Sequence, residues 1–88
     1  MYYIVVYDIA NEGRLPRVLK TCRKYLNWVQ NSVFEGELTE SQFEKLISDL
    51  KKKIKLQEDS VIFYSVRERR WLDKEVMGIE KNIIENFL

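Results

Sequence analysis

The segment from Tyr2 to Ile9 constrains the fold more than any other part of the chain. It is β-branched and aromatic, and it stays apolar without a break until Asp8. Alternate side chains of a strand point to opposite faces of its sheet. Here Tyr3, Val5 and Tyr7 make one apolar row and Tyr2, Ile4 and Val6 make the other, so the segment reads as a central strand that needs cover on both faces.

The rest of the chain has to supply that cover. After a polar turn from Ala10 to Gly13, Leu15, Val18, Leu19, Cys22 and Leu26 recur at helical spacing, with Pro16 tolerated because it falls in the first turn. Asn27 is expected to end this helix in a left-handed conformation. Trp28 to Gln30 and Val33 to Leu38 flank the polar pair Asn31 and Ser32, which predicts a hairpin. Thr39 and Gln42 have the spacing of a capping box, followed by a helix whose buried stripe is Phe43, Leu46, Ile47, Leu50 and Ile54. Val61 to Val66 is the next strand. A charged stretch from Arg67 to Arg70 then leads through Trp71 and Leu72 into a weaker strand around Val76 to Ile79. Ile83, Ile84 and Phe87 alternate with charges, as a final helical turn or an ordered arm.

Strand, helix, strand, strand, helix, strand is the βαββαβ order of the ferredoxin-like α+β sandwich. The single domain divides into a core over residues 1–66 and a C-terminal strand or arm over residues 67–88. Two helices cover one face of such a sheet, and the second apolar row of the first strand still needs burial. In a chain of 88 residues the economical cover is a second copy, giving an isologous homodimer with the arm packed on its partner.

The chain has no histidine and one cysteine, Cys22. Histidine general bases, histidine metal ligands, serine triads and an intrachain disulfide are therefore excluded, and the lone thiol fits a reducing compartment. No apolar run is long enough to span a bilayer, so a cytoplasmic protein without a membrane partner is expected. The net charge is only +1, but its distribution is uneven. Gly13 to Phe34 holds no acid and carries Arg14, Arg17, Lys20, Arg23 and Lys24; further basic clusters are Lys51, Lys52, Lys53 and Lys55, and Arg67, Arg69 and Arg70. Arg14, Arg17, Lys20 and Lys24 lie opposite the apolar stripe of the first helix, where they form either an ordinary solvated face or a phosphate track on a nucleic-acid backbone. Lys51 to Lys55 suit the negative end of the second helix, and Arg67, Arg69 and Arg70 suit either a backbone contact or docking of the arm.

Asp8 is the sharpest single signal. A carboxylate directly after a buried strand is costly unless it caps, pairs or binds a cation, so it is either an Asx cap for the first helix or a metal ligand. Three stretches bear on the choice: Tyr7, Asp8 and Ile9 closing the first strand, Arg14 and Arg17 opening the helix, and Val29, Gln30, Asn31, Ser32, Val33, Phe34, Glu35 and Gly36 at the hairpin. Together they resemble the small CRISPR-associated endonuclease family that partners the integrase in spacer acquisition, over Met1 to roughly Val66, and the hairpin stretch is the specific part of the match.

The resemblance implies a ferredoxin-like homodimer in which Asp8 faces its twin and shares a magnesium ion. It also implies functional roles for Tyr7 and Asp8 in catalysis, for Arg14 or Arg17 and Phe34 toward nucleic acid, and for the integrase subunit and DNA or RNA as partners. Trp28 departs from the family pattern, which often has arginine there. Bland readings stand beside these: Phe34 as core like Phe43 and Phe63, Tyr7 packed in the dimer interface, and Ser32 as a turn residue. An RNA-recognition domain shares the fold, but its motif of a basic residue, glycine and spaced aromatics is missing. Three functions remain open: a magnesium-dependent endonuclease on single-stranded RNA or double-stranded DNA, a non-cleaving scaffold between integrase dimers, and a toxin-type ribonuclease acting alone.

Overall fold

β1 (Tyr2–Asp8) runs between two neighbours, antiparallel to both. A computed structural model describes residues 1–82. Its further elements are α1 (Leu15–Tyr25), β2 (Asn27–Gln30), β3 (Val33–Glu37), α2 (Glu40–Lys51), β4 (Ser60–Val66) and a 3-10 turn at Arg69–Trp71. The sheet order is β2-β3-β1-β4, so the continuously apolar strand is indeed interior, and the fold is the ferredoxin-like α+β sandwich.

Register explains the core. Val5 lies opposite Phe34 on one side and Phe63 on the other, so one row of the sheet faces the helices. Val5, Val18, Cys22, Phe34 and Leu46 are completely buried there. Aromatic rings fill the space beside them: Tyr3 stacks on Phe43 at 4.4 Å, and Phe43 meets Phe63 edge-on at 5.3 Å. Each such side chain contributes roughly 1.5–3 kcal/mol on leaving water.

Local signals act as expected at α2. Thr39 Oγ1 accepts the Gln42 amide at 3.1 Å, and Gln42 Oε1 accepts the Thr39 amide at 2.9 Å, which completes the capping box. The end of α1 differs. Leu26 turns extended (φ −132°) and its amide bonds the Cys22 carbonyl, so Asn27 is already paired with Glu35 and takes no left-handed conformation. Gly36 makes this close exit fit, because a Cβ there would lie 3.2 Å from Leu26 Cδ2. The left-handed residue is instead Asn31 (φ 43°), in the turn between β2 and β3.

Among the described residues no α-helix covers the other face of the sheet. Ile4 and Val6 of β1 lie there beside Val33, Ile62 and Tyr64, and Ile62 and Tyr64 are 46% and 57% exposed. The C-terminal segment crosses this face. Lys74 reaches Glu35 of β3, and Asn82 donates to the Trp28 carbonyl of β2 at 2.9 Å. The strand expected at Val76–Ile79 does not form among the described residues. Its β-branched residues fit a strand, but within one chain the segment crosses the face of the sheet instead of lying along an edge strand. Ile83, Ile84 and Phe87 lie outside the described residues.

Candidate nucleic-acid and metal site at the end of the first strand

Alternation along β1 puts Tyr3, Val5 and Tyr7 under the helices and Ile4 and Val6 on the open side. Asp8 continues the open row, exposed, with its backbone opposite Ser60 of β4. It does not cap α1. The N-cap position is Arg14, without any side-chain cap bond, and the Asx-type bond in the preceding turn is made by Asn11, whose Oδ1 accepts the Gly13 amide at 2.7 Å. Among the described residues the Asp8 side chain has no hydrogen-bond or ion-pair partner. The same residues contain no group of three acids or thiols able to hold a metal.

The acid beside it is spent internally. Asp59 has a side chain that is 0% exposed, and its two oxygens take Arg14 Nε and Nη2, both at 2.9 Å. The same carboxylate accepts the amides of Ala10 at 2.9 Å and Lys55 at 2.8 Å. The Arg14 guanidinium, with those backbone bonds, holds the Asp59 carboxyl well below the ordinary range, and burial only partly opposes this. Arg14 Nη2 also meets Glu58 at 3.1 Å. Arg14 is therefore not part of an open phosphate track, because its charge is already matched inside the fold.

Two further expectations need correction. Phe34 is 0% exposed and cannot meet nucleic acid without unfolding. Tyr7 is 4% exposed on the helix side, its ring 6.2 Å from that of Phe34, so it packs in the core and not at an interface on the open face. Burial pushes its hydroxyl upward in pKa.

Arg17, Lys20 and Lys24 remain exposed along α1. Beside them the Asp49 carboxylate accepts Tyr25 Oη at 2.6 Å, and it is held low first by that bond and then by Lys52, Lys24 and Lys53. The C-terminal ends of the two helices thus share one positive surface. Arg69 is docked elsewhere, 5.6 Å over the Tyr2 ring with Nη1 donating to the Leu72 carbonyl, as suits an arm-docking residue. Trp28 braces the hairpin by donating Nε1 to the Asn31 carbonyl at 3.0 Å.

Surface clefts do not single out Asp8. An apolar cleft of about 340 Å³ lies beside β4, lined by Leu50, Ile54, Leu56, Val61 and Phe63 among others, and Asp8 is not in its wall. Asp8 instead faces open space, accessible to a long polymer or to a second protein. The residue that sequence reasoning missed is Asp59. Its only local signal is an acid immediately before a strand, and its partner Arg14 is 45 positions away.

Comparison with known proteins gives consistent results. The family described as CRISPR associated protein Cas2 matches residues 1–74. A protein of Dictyoglomus turgidum named CRISPR-associated endoribonuclease Cas2 is 50% identical over 100% of both chains. The protein of the same name from Thermotoga maritima is 48% identical over 92% of each. A crystal structure of a Cas2 protein superposes with a TM-score of 0.83 at 46% identity, covering 92% of this chain and 90% of that one. The structure of Streptococcus pyogenes Cas2 at pH 6.5 superposes with a TM-score of 0.78 at 34% identity, covering 89% and 100%.

Proposed function

The chain belongs to the CRISPR-associated Cas2 family, and from that premise we propose that it is a homodimeric nucleic-acid-binding protein of spacer acquisition that cleaves phosphodiester bonds, those of single-stranded RNA above all, at a magnesium ion held between two Asp8 carboxylates. The observation that carries this reading is Asp8 itself: an exposed acid that ends a buried strand and neither caps a helix nor pairs with another described residue. Relatives at about half identity are named endoribonucleases, which favours RNA as the substrate.

The open face supports the dimer. Ile4, Val6, Ile62 and Tyr64 form an apolar surface, and Asp8 stands in the same row as Ile4 and Val6. Two copies joined through these faces bring one Asp8 toward the other, supplying the second carboxylate that a single chain lacks. Magnesium accepts such a sparse oxygen set because it keeps several of its waters. When bound, it supplies Lewis-acid polarisation of phosphate and water. Arg17, Lys20 and Lys24 hold the backbone by charge, without reading bases.

Cleavage of labelled single-stranded RNA and duplex DNA by wild type and Asp8→Ala, with magnesium or with chelator, tests the reading. Metal-dependent cleavage lost in Asp8→Ala is expected; cleavage that ignores Asp8 sinks it.

A second reading has its own support. Nucleases that use two metal ions gather several carboxylates, and the described residues hold no group of three acids; Trp28 also occupies a position where the family often has arginine. The dimer would then act as a scaffold, its basic surfaces on duplex DNA and its C-terminal segment on the integrase subunit. Duplex binding that survives Asp8→Ala without any Asp8-dependent cleavage, together with integrase capture, selects this reading.

A further inference from the structure

We propose that Arg14 and Asp59 form a positioning pair for Asp8, so that Arg14 serves the site through the backbone around Asp8 and not by touching phosphate. The inference rests on the reading of Asp8 as the reacting carboxylate and adds to it two residues and a mechanism.

The geometry is specific. Asp8 is the last residue of β1, and its cross-strand partner Ser60 follows Asp59 directly. On the other flank, Ala10 leaves the sheet and donates its amide to Asp59 Oδ1 at 2.9 Å. The buried carboxylate of Asp59 therefore ties the exit of β1, just past Asp8, to the start of β4. The same carboxylate fixes the 55–59 turn through the Lys55 amide, and the start of α1 through Arg14. A strand end carrying an exposed acid would otherwise fray first. Small displacements of a reacting group are expensive in rate, so rigidity here has functional consequence.

The guanidinium is committed to this task. Its Nε and Nη2 bind the two oxygens of Asp59 as a fork, Nη2 also reaches Glu58, and the side chain is 18% exposed. A phosphate reaching Arg14 would meet a guanidinium already neutralised by two carboxylates and mostly covered, whereas Arg17, Lys20 and Lys24 are exposed to solvent.

The test compares Arg14→Ala, Asp59→Asn and the double variant with wild type and Asp8→Ala, in the full chain with magnesium. Amide exchange at Ala10, cleavage of single-stranded RNA and the salt dependence of RNA binding are measured for each. A positioning pair gives faster exchange at Ala10 in both single variants, cleavage lower by about tenfold to a hundredfold, and a double variant no worse than either single. The salt slope stays at its wild-type value. The proposal is overturned if Arg14→Ala lowers that slope by about 0.7, as removal of one phosphate-neutralising charge on a single strand would, while Asp59→Asn behaves as wild type. If Asp8→Ala cleaves normally, the nuclease reading fails on its own. The pair is then judged by Ala10, where unchanged protection in both variants overturns it and diminished protection upholds it. Should Arg14→Ala not fold, Arg14→Gln, which keeps the stem and a donor, carries the same comparison.

Discussion

Lys74 Nζ lies 2.7 Å from Glu35 Oε2, and this ion pair fastens the C-terminal segment to the open face of the sheet. Tyr2 Oη donates to the other oxygen of the same carboxylate. Burial pushes the Glu35 carboxyl up, but the bonds from Lys74 and Tyr2 outweigh it and hold the group below its ordinary value. The Tyr2 hydroxyl, buried and facing that carboxylate, is pushed up to about 12. The carboxylate is therefore charged throughout the neutral range. Glu35→Gln keeps the shape and removes the charge. It is expected to loosen the segment by about 1 kcal/mol, seen as faster tryptic cleavage at Lys74 and Lys81 with little change in global unfolding.

Phe34→Ala separates packing from binding. The ring is fully enclosed opposite Val5, so truncation is expected to destabilise the fold by about 3–5 kcal/mol in urea unfolding. Nucleic-acid affinity of the fraction that remains folded should equal that of wild type. A stable variant that binds poorly would return Phe34 to the interface.

Asp59 sets a dependence on acid. Its folded-state pKa is depressed, so the stability it contributes is complete above the unfolded carboxylate value of about 4 and is lost as pH falls below that toward the folded value. Urea midpoints measured from about pH 6 to about pH 2 should fall for wild type, and should fall less steeply for Asp59→Asn, which has no charge to lose. Parallel curves would show that Asp59 is not the group responsible.

What could be read in advance follows the range of the interaction. The Thr39 and Gln42 capping box is a three-residue motif, and the apolar rows of β1 are strictly alternating, so both were legible. The exit of α1 was not, because it depends on Leu26 packing against Gly36 of β3. Arg14 looked like Arg17 and Lys20 within an acid-free run, and only a partner 45 positions away distinguishes it. The segment at Val76–Ile79 has strand-like residues, yet a strand also has to lie alongside an edge strand, and no local pattern reports where the segment runs. Asp8 was legible as an anomaly; that its side chain neither caps α1 nor pairs with a described residue became visible only in three dimensions.

Cys22 is completely enclosed between α1 and the sheet, and burial pushes its thiol up to about 12. The thiolate is the reactive form, so the native protein should resist thiol reagents at about pH 8. Labelling should proceed at the rate of unfolding and accelerate in Phe34→Ala. Rapid labelling of the native wild type would contradict this enclosure.

The basic face can be tested without reference to cleavage. Arg17, Lys20 and Lys24 are exposed on α1, and replacing all three with Gln removes charge without touching the core. Each side chain that no longer neutralises a phosphate of a single strand lowers the slope of log affinity against log salt by about 0.7, so the triple change predicts a fall of about 2. Stability should change by no more than about 0.5 kcal/mol per site. The control is Lys51→Gln at the end of α2, where the helix dipole already accounts for a basic residue. If the control lowers the slope as much as one of the α1 changes does, the surface is a diffuse positive field and not a track. If only the α1 changes lower it, the stripe along that helix carries the backbone, and the Asp8 end of the sheet is left to whatever chemistry or partner the open face accepts.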